Sequence, residues 1–288
     1  MKYVKAALAS TSILINTILV CLPLSILCAI KCLTPENTRN YLNKKIDLLI
    51  MDSWVGANSK MINLLELTRF SVHWDDSSLV NRNRWYLIIS NHQAWTDILI
   101  LQICLLNHIP PIKFFTKRSL IWIPFLGLAL WLLGFPFVRR SKNRLTKDTK
   151  SDRQITLNAC QKFKNHPTSV LSFVEGTRFT EDKHGAQRSN YQHLLKPKVS
   201  GLSYVTGAMG EKIDKLLDIT IVYPDGPPTF WEFLQGQCEK IDVYVRSHDL
   251  PVGLTSTPDD RHQRRVLAPW INTLWQEKDQ MISDLKAE

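Results

Sequence analysis

The chain has 288 residues, 44% hydrophobic and 22% charged, ample for one large α/β domain or two small ones. Its 36 Lys and Arg against 26 Asp and Glu give a net charge of +10, which suits nucleic acid, an anionic membrane surface or a phosphorylated substrate as readily as a plain solvated surface. The cysteines at 21, 28, 32, 104, 160 and 238 form no CxxC pair, which argues against a disulfide framework or a zinc site and for a reducing compartment.

Ala6 to Ile30 carries no charged residue, and a bilayer core needs roughly 20 apolar residues to cross. A signal peptide fits less well: the apolar run is too long, and Cys28-Ala29-Ile30-Lys31 is a poor cleavage site. The expectation is an N-terminal membrane anchor helix over 1–32, either spanning or bent at Pro23. Lys31, Arg39, Lys44 and Lys45 after it, against Lys2 and Lys5 before it, lean slightly towards a main domain at the cytoplasmic face of its membrane. Glu36 to Phe70 reads as helical, so 33–74 forms a second segment, either interfacial in the membrane or an ordinary amphipathic core helix. The main domain, 75–288, follows, with Val72–Trp74 available to start its sheet.

Trp85–Ser90 reads as a short buried strand running into Asn91-His92-Gln93 and then a helix, with Thr96 as N-cap and Asp97 in its first turn. With His92 in the loop at the strand's end, Asp97 can turn back to the imidazole. A carboxylate on Nδ1–H fixes the tautomer and leaves Nε2 free to take a proton. A lone His–Asp pair is more often structural than catalytic, so the pair needs company elsewhere in the chain. The helix ends near Asn107, and Pro110-Pro111 forces an extended path into a strand at Ile112–Thr116.

Ser119–Val138 is free of charge, but Pro124, Gly127, Gly134 and Pro136 punctuate it. A buried helix plus strand is expected there rather than a second span, with Trp122, Phe125, Leu128 and Trp131 available to contact a membrane or an acyl chain. Arg139–Arg153 is strongly basic. A helix at Asp152–Lys164 and a strand at Val170–Val174 lead to Glu175-Gly176-Thr177-Arg178. Further on come Lys196-Pro197-Lys198, a strand at Ile219–Tyr223, a short helix at Phe230–Leu234, a strand at Ile241–Arg246 and an amphipathic helix at Pro269–Leu285. No repeat, low-complexity segment or Gly/Ser linker interrupts this order.

Three motifs therefore stand in sequence: His92 with Asp97, Gly134-Phe135-Pro136-Phe137-Val138-Arg139, and Phe173-Val174-Glu175-Gly176-Thr177-Arg178-Phe179. H-x4-D, G-x-x-F-x-R and F-x-E-G-T-R in this order resemble the glycerolipid acyltransferases, the 1-acylglycerol-3-phosphate (lysophosphatidate) acyltransferase family. The likeness covers at least Trp85 to Pro224, and residues 175–184 and 218–224 look closest to a bacterial subset. It implies an α/β fold with a mixed central sheet flanked by helices. It also implies transfer of a fatty acyl group from acyl-CoA or acyl carrier protein to a lysophospholipid at a phospholipid membrane, which the bacterial resemblance implies is the cell inner membrane. The acceptor is lysophosphatidate, with lysophosphatidylglycerol as the alternative. A membrane-anchored thioesterase or lipid hydrolase and a basic adaptor without activity are the rival readings. Nucleic acid is not an expected partner.

Deprotonating the attacking hydroxyl falls to His92, oriented by Asp97, a step typically worth about 10²–10⁴-fold. The substrate's own oxygen is the nucleophile, and the chain has no G-x-S-x-G elbow. Arg178 presents a rigid fork for the acceptor's phosphate, with Arg139 and Lys198 as further candidates. Gly176 lets backbone approach a ligand. By resemblance, Glu175 and Thr177 belong to the same substrate loop, Glu175 bonding a glycerol hydroxyl or fixing Arg178. A backbone N–H between Gly134 and Phe137 is the candidate oxyanion donor. No metal or other cofactor is expected. One departure from many bacterial relatives, Asp218-Ile-Thr-Ile-Val-Tyr-Pro224 in place of a Val-Pro-Ile-type step, leaves head group and chain length open.

Overall fold

The computed structural model describes residues 1–138, 147–254 and 260–287. A long helix α1 (Lys2–Cys32) leads into α2 (Glu36–Ile46), a π-helical turn (Asp47–Met51) and α3 (Asp52–Leu64). Then come β1 (Arg69–Trp74), β2 (Trp85–Ser90), α4 (Asp97–Cys104), β3 (Ile112–Phe114), β4 (Thr116–Lys117), α5 (Leu126–Leu132) and β5 (Phe137–Val138). The remainder is α6 (Lys147–Phe163), β6 (Ser169–Phe173), α7 (Glu181–Gln187), α8 (Ser200–Met209), β7 (Ile213–Val222), α9 (Phe230–Leu234), β8 (Lys240–His248) and α10 (Asp260–Ala287).

Six strands form one sheet in the order β1-β8-β7-β2-β6-β3. β7, β2, β6 and β3 run parallel, β8 runs against β7, and β1 is parallel to β8, so the sheet is mixed. Alternation along β2 assigns its layers: Tyr86 and Ile88 pack with Ile62, Ile100 and Phe233, whereas Leu87 and Ile89 pack with Cys160, Val205 and Trp275. Both faces are thus covered by helices, which is why this strand reads as a continuous apolar run. Each such side chain contributes about 1.5–3 kcal/mol on full burial.

Helix α1 is long and apolar enough to cross a membrane, yet one stripe of it lies against the domain along most of its length. Ala6 and Ala9 join the core cluster under Tyr86 and Ile88, and Cys21, Leu24 and Cys28 pack with Ile46, Ile50 and Ala129. The Asn16 amide bonds Asn58 at 2.9 Å and the Trp54 carbonyl at 3.0 Å, tying α1 to α3. The opposite face exposes Val4, Leu8, Ile15, Leu19, Leu22 and Ile26.

Several elements differ from the sequence expectation for identifiable reasons. The helix expected to reach Phe70 stops at Leu64, where Glu66 takes a left-handed φ of 47°. The N–H of Leu67 reaches back to the Ile62 carbonyl (3.0 Å) and that of Glu66 to Asn63 (3.1 Å), a Schellman ending with Leu67 buried beneath it. Arg69 then enters the sheet. The stretch 119–138 forms a short 3₁₀ turn, α5 and β5, leaving Trp122 84% and Trp131 61% exposed. β7 starts at Ile213, before the expected Ile219, and α10 starts at Asp260 with Pro269 inside it. Helix α7 was not foreseen; the Thr180 hydroxyl caps it and Glu181 and Asp182 occupy its first turn.

Candidate active site

β2, β6 and β7 are parallel neighbours, so their carboxyl ends open on one edge of the sheet, where open α/β sheets gather their ligands. His92, Glu175 and Tyr223 each stand one or two residues beyond those ends. Asn91 stitches two of the strands together: its buried amide donates to the Ile221 carbonyl and accepts the Ile221 N–H, both at 2.8 Å.

His92 is held from every side but one. Its N–H donates to Glu175 Oε1 (2.9 Å), its carbonyl accepts the Phe179 N–H (2.7 Å), and its Nδ1 lies 2.8 Å from Asp97 Oδ2. The ring stacks on Phe173 at a centroid distance of 4.0 Å. Asp97 Oδ2 also accepts the N–H groups of Gln93 (2.7 Å) and Ala94 (3.0 Å), and Oδ1 accepts the Tyr223 hydroxyl at 2.5 Å. An ionised carboxylate can only accept, so Nδ1 carries the proton and Nε2 keeps its lone pair. Among the described residues nothing bonds Nε2. The imidazole is 15% exposed while the Asp97 side chain is fully buried, so the pair offers one basic nitrogen to a ligand from a shielded carboxylate.

Glu175 lies inside, not in the cleft. Its two oxygens accept backbone N–H groups, His92 at 2.9 Å and Leu195 at 3.1 Å, and the residue has no exposed surface. Burial pushes its carboxyl up to about 8 against the pull of those two donors. Gly176 follows with a φ of +72°, a left-handed turn that favours glycine, and the Lys198 side chain runs alongside it. Thr177 is half-buried, and Lys198 is exposed with its N–H bonded to the Val174 carbonyl at 2.7 Å. The Arg178 guanidinium lies 4.2 Å above the ring of Trp95, which is 58% exposed. Trp95 lies three residues after His92, and the N–H of Phe179, next to Arg178, bonds the His92 carbonyl, so Arg178 belongs to the loop packed against that of His92.

The second motif is placed by a separate parallel pair, β4 with β5, immediately after β3 and hence beyond the same edge of the sheet. Gly134 takes a φ of +74°, and its N–H is spent on the Trp131 carbonyl at the end of α5 (3.0 Å). The Phe135 N–H is likewise bonded, to Leu130 (2.9 Å), and Pro136 has none, which leaves Phe137 as the segment's candidate donor. Arg139 lies outside the described residues. Residues that sequence reasoning did not single out are Asn91, Trp95, Phe173 and Tyr223. Asn91 and Tyr223 lie within stretches already marked, but their partners lie far along the chain.

A model of the acyltransferase family matches residues 71–222. Lysocardiolipin acyltransferase 1 of Gallus gallus is 27% identical over 211 residues, covering 68% of this chain and 52% of that protein. The 1-acyl-sn-glycerol-3-phosphate acyltransferase epsilon of Mus musculus is 22% identical over 218 residues, covering 68% and 56%. The chain thus spans about half the length of the curated relatives it matches. The crystal structure of the 1-acyl-sn-glycerophosphate acyltransferase PlsC from Thermotoga maritima has a TM-score of 0.60 to this fold, with 17% identity and coverage of 100% and 99% of the two chains.

Proposed function

The chain belongs to the acyltransferase family, and from that premise we propose that it moves a fatty acyl group from a thioester, acyl-CoA or acyl carrier protein, to a lysophospholipid, with 1-acylglycerol-3-phosphate as the favoured acceptor. The observation that carries this reading is His92, whose backbone and Nδ1 are engaged while no described residue bonds Nε2, with Arg178 on the neighbouring loop. Nε2 takes the acceptor's hydroxyl proton as that oxygen attacks the thioester carbon. Asp97 supports the imidazolium, and collapse of the tetrahedral adduct breaks the C–S bond as the proton passes from Nε2 to the departing thiolate. The Phe137 N–H is the candidate oxyanion donor. Arg178, with Lys198 alongside Gly176 as a further candidate, receives the acceptor's phosphate. Glu175 positions the backbone of His92.

The same reading extends to the membrane. The outward face of α1 and the exposed Trp122, Phe125, Leu128 and Trp131 lie on adjacent packed elements, joined where Cys21 Sγ meets the Phe125 carbonyl at 3.2 Å. An apolar surface of that extent calls for a cover. Because the other face of α1 is packed on the domain, the helix lies along one leaflet rather than crossing the bilayer, with the basic surface facing anionic headgroups.

The experiment is to give purified protein acyl-CoA with a panel of lysophospholipids, and to compare it with His92→Ala. Acyl transfer to lysophosphatidate that drops at least a hundredfold in a folded His92→Ala protein is expected, in line with a base worth about 10²–10⁴-fold. Acyl-CoA hydrolysis unaffected by any acceptor would replace the transferase with a hydrolase.

A further inference from the structure

Asp97 receives four hydrogen bonds, and three of them fall on Oδ2, from the His92 ring and the backbone N–H groups of Gln93 and Ala94. Oδ1 has a single donor, the Tyr223 hydroxyl, at 2.5 Å. Tyr223 follows β7, its ring packs in the core layer with Ile219 and Ile221, and only 3% of it is exposed. Its hydroxyl has one other neighbour, Thr96 Oγ1 at 3.2 Å. The tyrosine is therefore almost wholly shielded from solvent, and its hydroxyl is spent on the carboxylate that orients the base.

We infer that Tyr223 is a positioning residue that acts through Asp97: by donating to Oδ1 it fixes the rotation of the carboxylate and holds part of its charge away from His92. Extending the proposed His92–Asp97 mechanism, this makes the unit a chain of three side chains from the ends of β2 and β7 and the start of α4. The tyrosine keeps its proton throughout. Burial and the Asp97 charge raise its hydroxyl well above the ordinary tyrosine range, so it remains a donor at every pH where the enzyme works. The acceptor's proton travels only between the substrate and Nε2. Without the phenol, Oδ1 is a buried carboxylate oxygen with no donor. The carboxylate then holds more charge toward Nδ1–H, stabilising the imidazolium, and is free to rotate out of the ring plane.

Two consequences separate this role from plain core packing. Losing the donor moves the acidic limb of the kcat/KM profile to higher pH, because more acid-side protein holds an imidazolium that cannot accept the substrate's proton. The loss also disappears when Asp97 no longer carries a charge to tune. The titratable groups packed around the pair are Glu175 at the end of β6, Cys238 beside Tyr223, and Lys278 of α10 behind Glu175; all stay unchanged in the variants.

The test uses the full chain in lipid or detergent, with acyl-CoA and lysophosphatidate, in Tyr223→Phe, Asp97→Asn and the double variant, with thermal unfolding measured for each. Tyr223→Phe is expected to lower kcat about ten- to a hundredfold, the range for losing a hydrogen bond to a charged group, with KM for acyl-CoA within about twofold. Its acidic limb is expected to rise by about half a pH unit or more. In the Asp97→Asn background the same change should cost less than about twofold. Tyr223→3,5-difluorotyrosine, a stronger donor of almost the same shape, should move the limb the other way, and it keeps the test open if Tyr223→Phe folds poorly. An unmoved limb in both variants, or equal losses in the two backgrounds, overturns the inference. Full activity in Asp97→Asn would instead overturn the His92–Asp97 mechanism on which it rests.

Discussion

Arg178→Ala tests where the acceptor's phosphate is held. The guanidinium lies 4.2 Å from the centre of the Trp95 ring and has no ion-pair partner among the described residues, so its donors remain available beside the His92 loop. A charge-assisted hydrogen bond to a phosphate oxygen is worth about 1.5–3 kcal/mol. Losing one or both arms of a bidentate grip therefore lowers kcat/KM for lysophosphatidate about ten- to a hundredfold or more. Arg178→Lys should restore only part, since an ammonium keeps the charge but loses the bidentate fork. The assay compares kcat/KM for lysophosphatidate and for monoacylglycerol, which lacks the phosphate, in wild type and both variants. Acyl-CoA hydrolysis serves as a control that needs His92 but no phosphate. Equal losses with the two acceptors would refute the reasoning and send the search for the phosphate site to Lys198 and Arg139.

Replacing Trp122 and Trp131 by Ser should weaken co-sedimentation with anionic phospholipid vesicles while leaving the unfolding temperature within a few degrees, because both rings are largely exposed. Unchanged vesicle binding would remove α5 from the membrane surface. The raised carboxyl of Glu175 also carries a signed stability prediction. A group that binds its proton more tightly when folded contributes stability that is complete below its unfolded value near 4.5 and is lost as pH climbs through about 8. Thermal stability of the wild type should therefore fall between pH 5 and 8 by more than that of Glu175→Gln, whose flatter slope, rather than its absolute stability, is the readout. Parallel slopes for the two proteins would show that Glu175 stays ionised throughout.

What was legible in the sequence was what local period and local chemistry determine. Trp85–Ile89 is apolar without interruption, and Thr96-Asp97 marks a helix start, so the strand, the loop and the His92–Asp97 pair could be placed from neighbours in the chain. The start of β7 could not, because Asp214, Lys215 and Asp218 are charged residues within it. Asp218 is tolerated in mid-strand because Lys278, wholly buried, and Arg246 of β8 each lie 2.7 Å from one of its oxygens. Tyr223 and Asn91 were hidden for the same reason: their partners lie 126 and 130 positions away. The end of α3 turned on a left-handed Glu66, a conformation no propensity favours, secured by burying Leu67. Glu175 shows the same limit at the site. Its motif marks it as important, but only its partners show that it holds backbone.

Those partners also explain why a helix at the far end of the chain bears on the chemistry. Trp275 of α10 donates its indole N–H to the Leu195 carbonyl at 3.0 Å, and Asp279 accepts the N–H groups of Gln192 (2.7 Å) and His193 (2.8 Å). The N–H of Leu195, so held, donates to Glu175 Oε2, and Glu175 Oε1 in turn takes the N–H of His92. One turn along, Lys278 donates to the Ile219 carbonyl of β7 at 2.6 Å, the strand that carries Ile221 to Asn91 and leads to Tyr223. The loop that carries His92 is thus fixed from two sides, through β6 and through β7, and both supports are anchored on α10. A base must meet its proton within about 0.5 Å of the productive position. A small displacement of α10 would reach His92 by both routes at once, so, on the proposed mechanism, a variant that loosens this helix is expected to lower kcat at temperatures well below its unfolding midpoint.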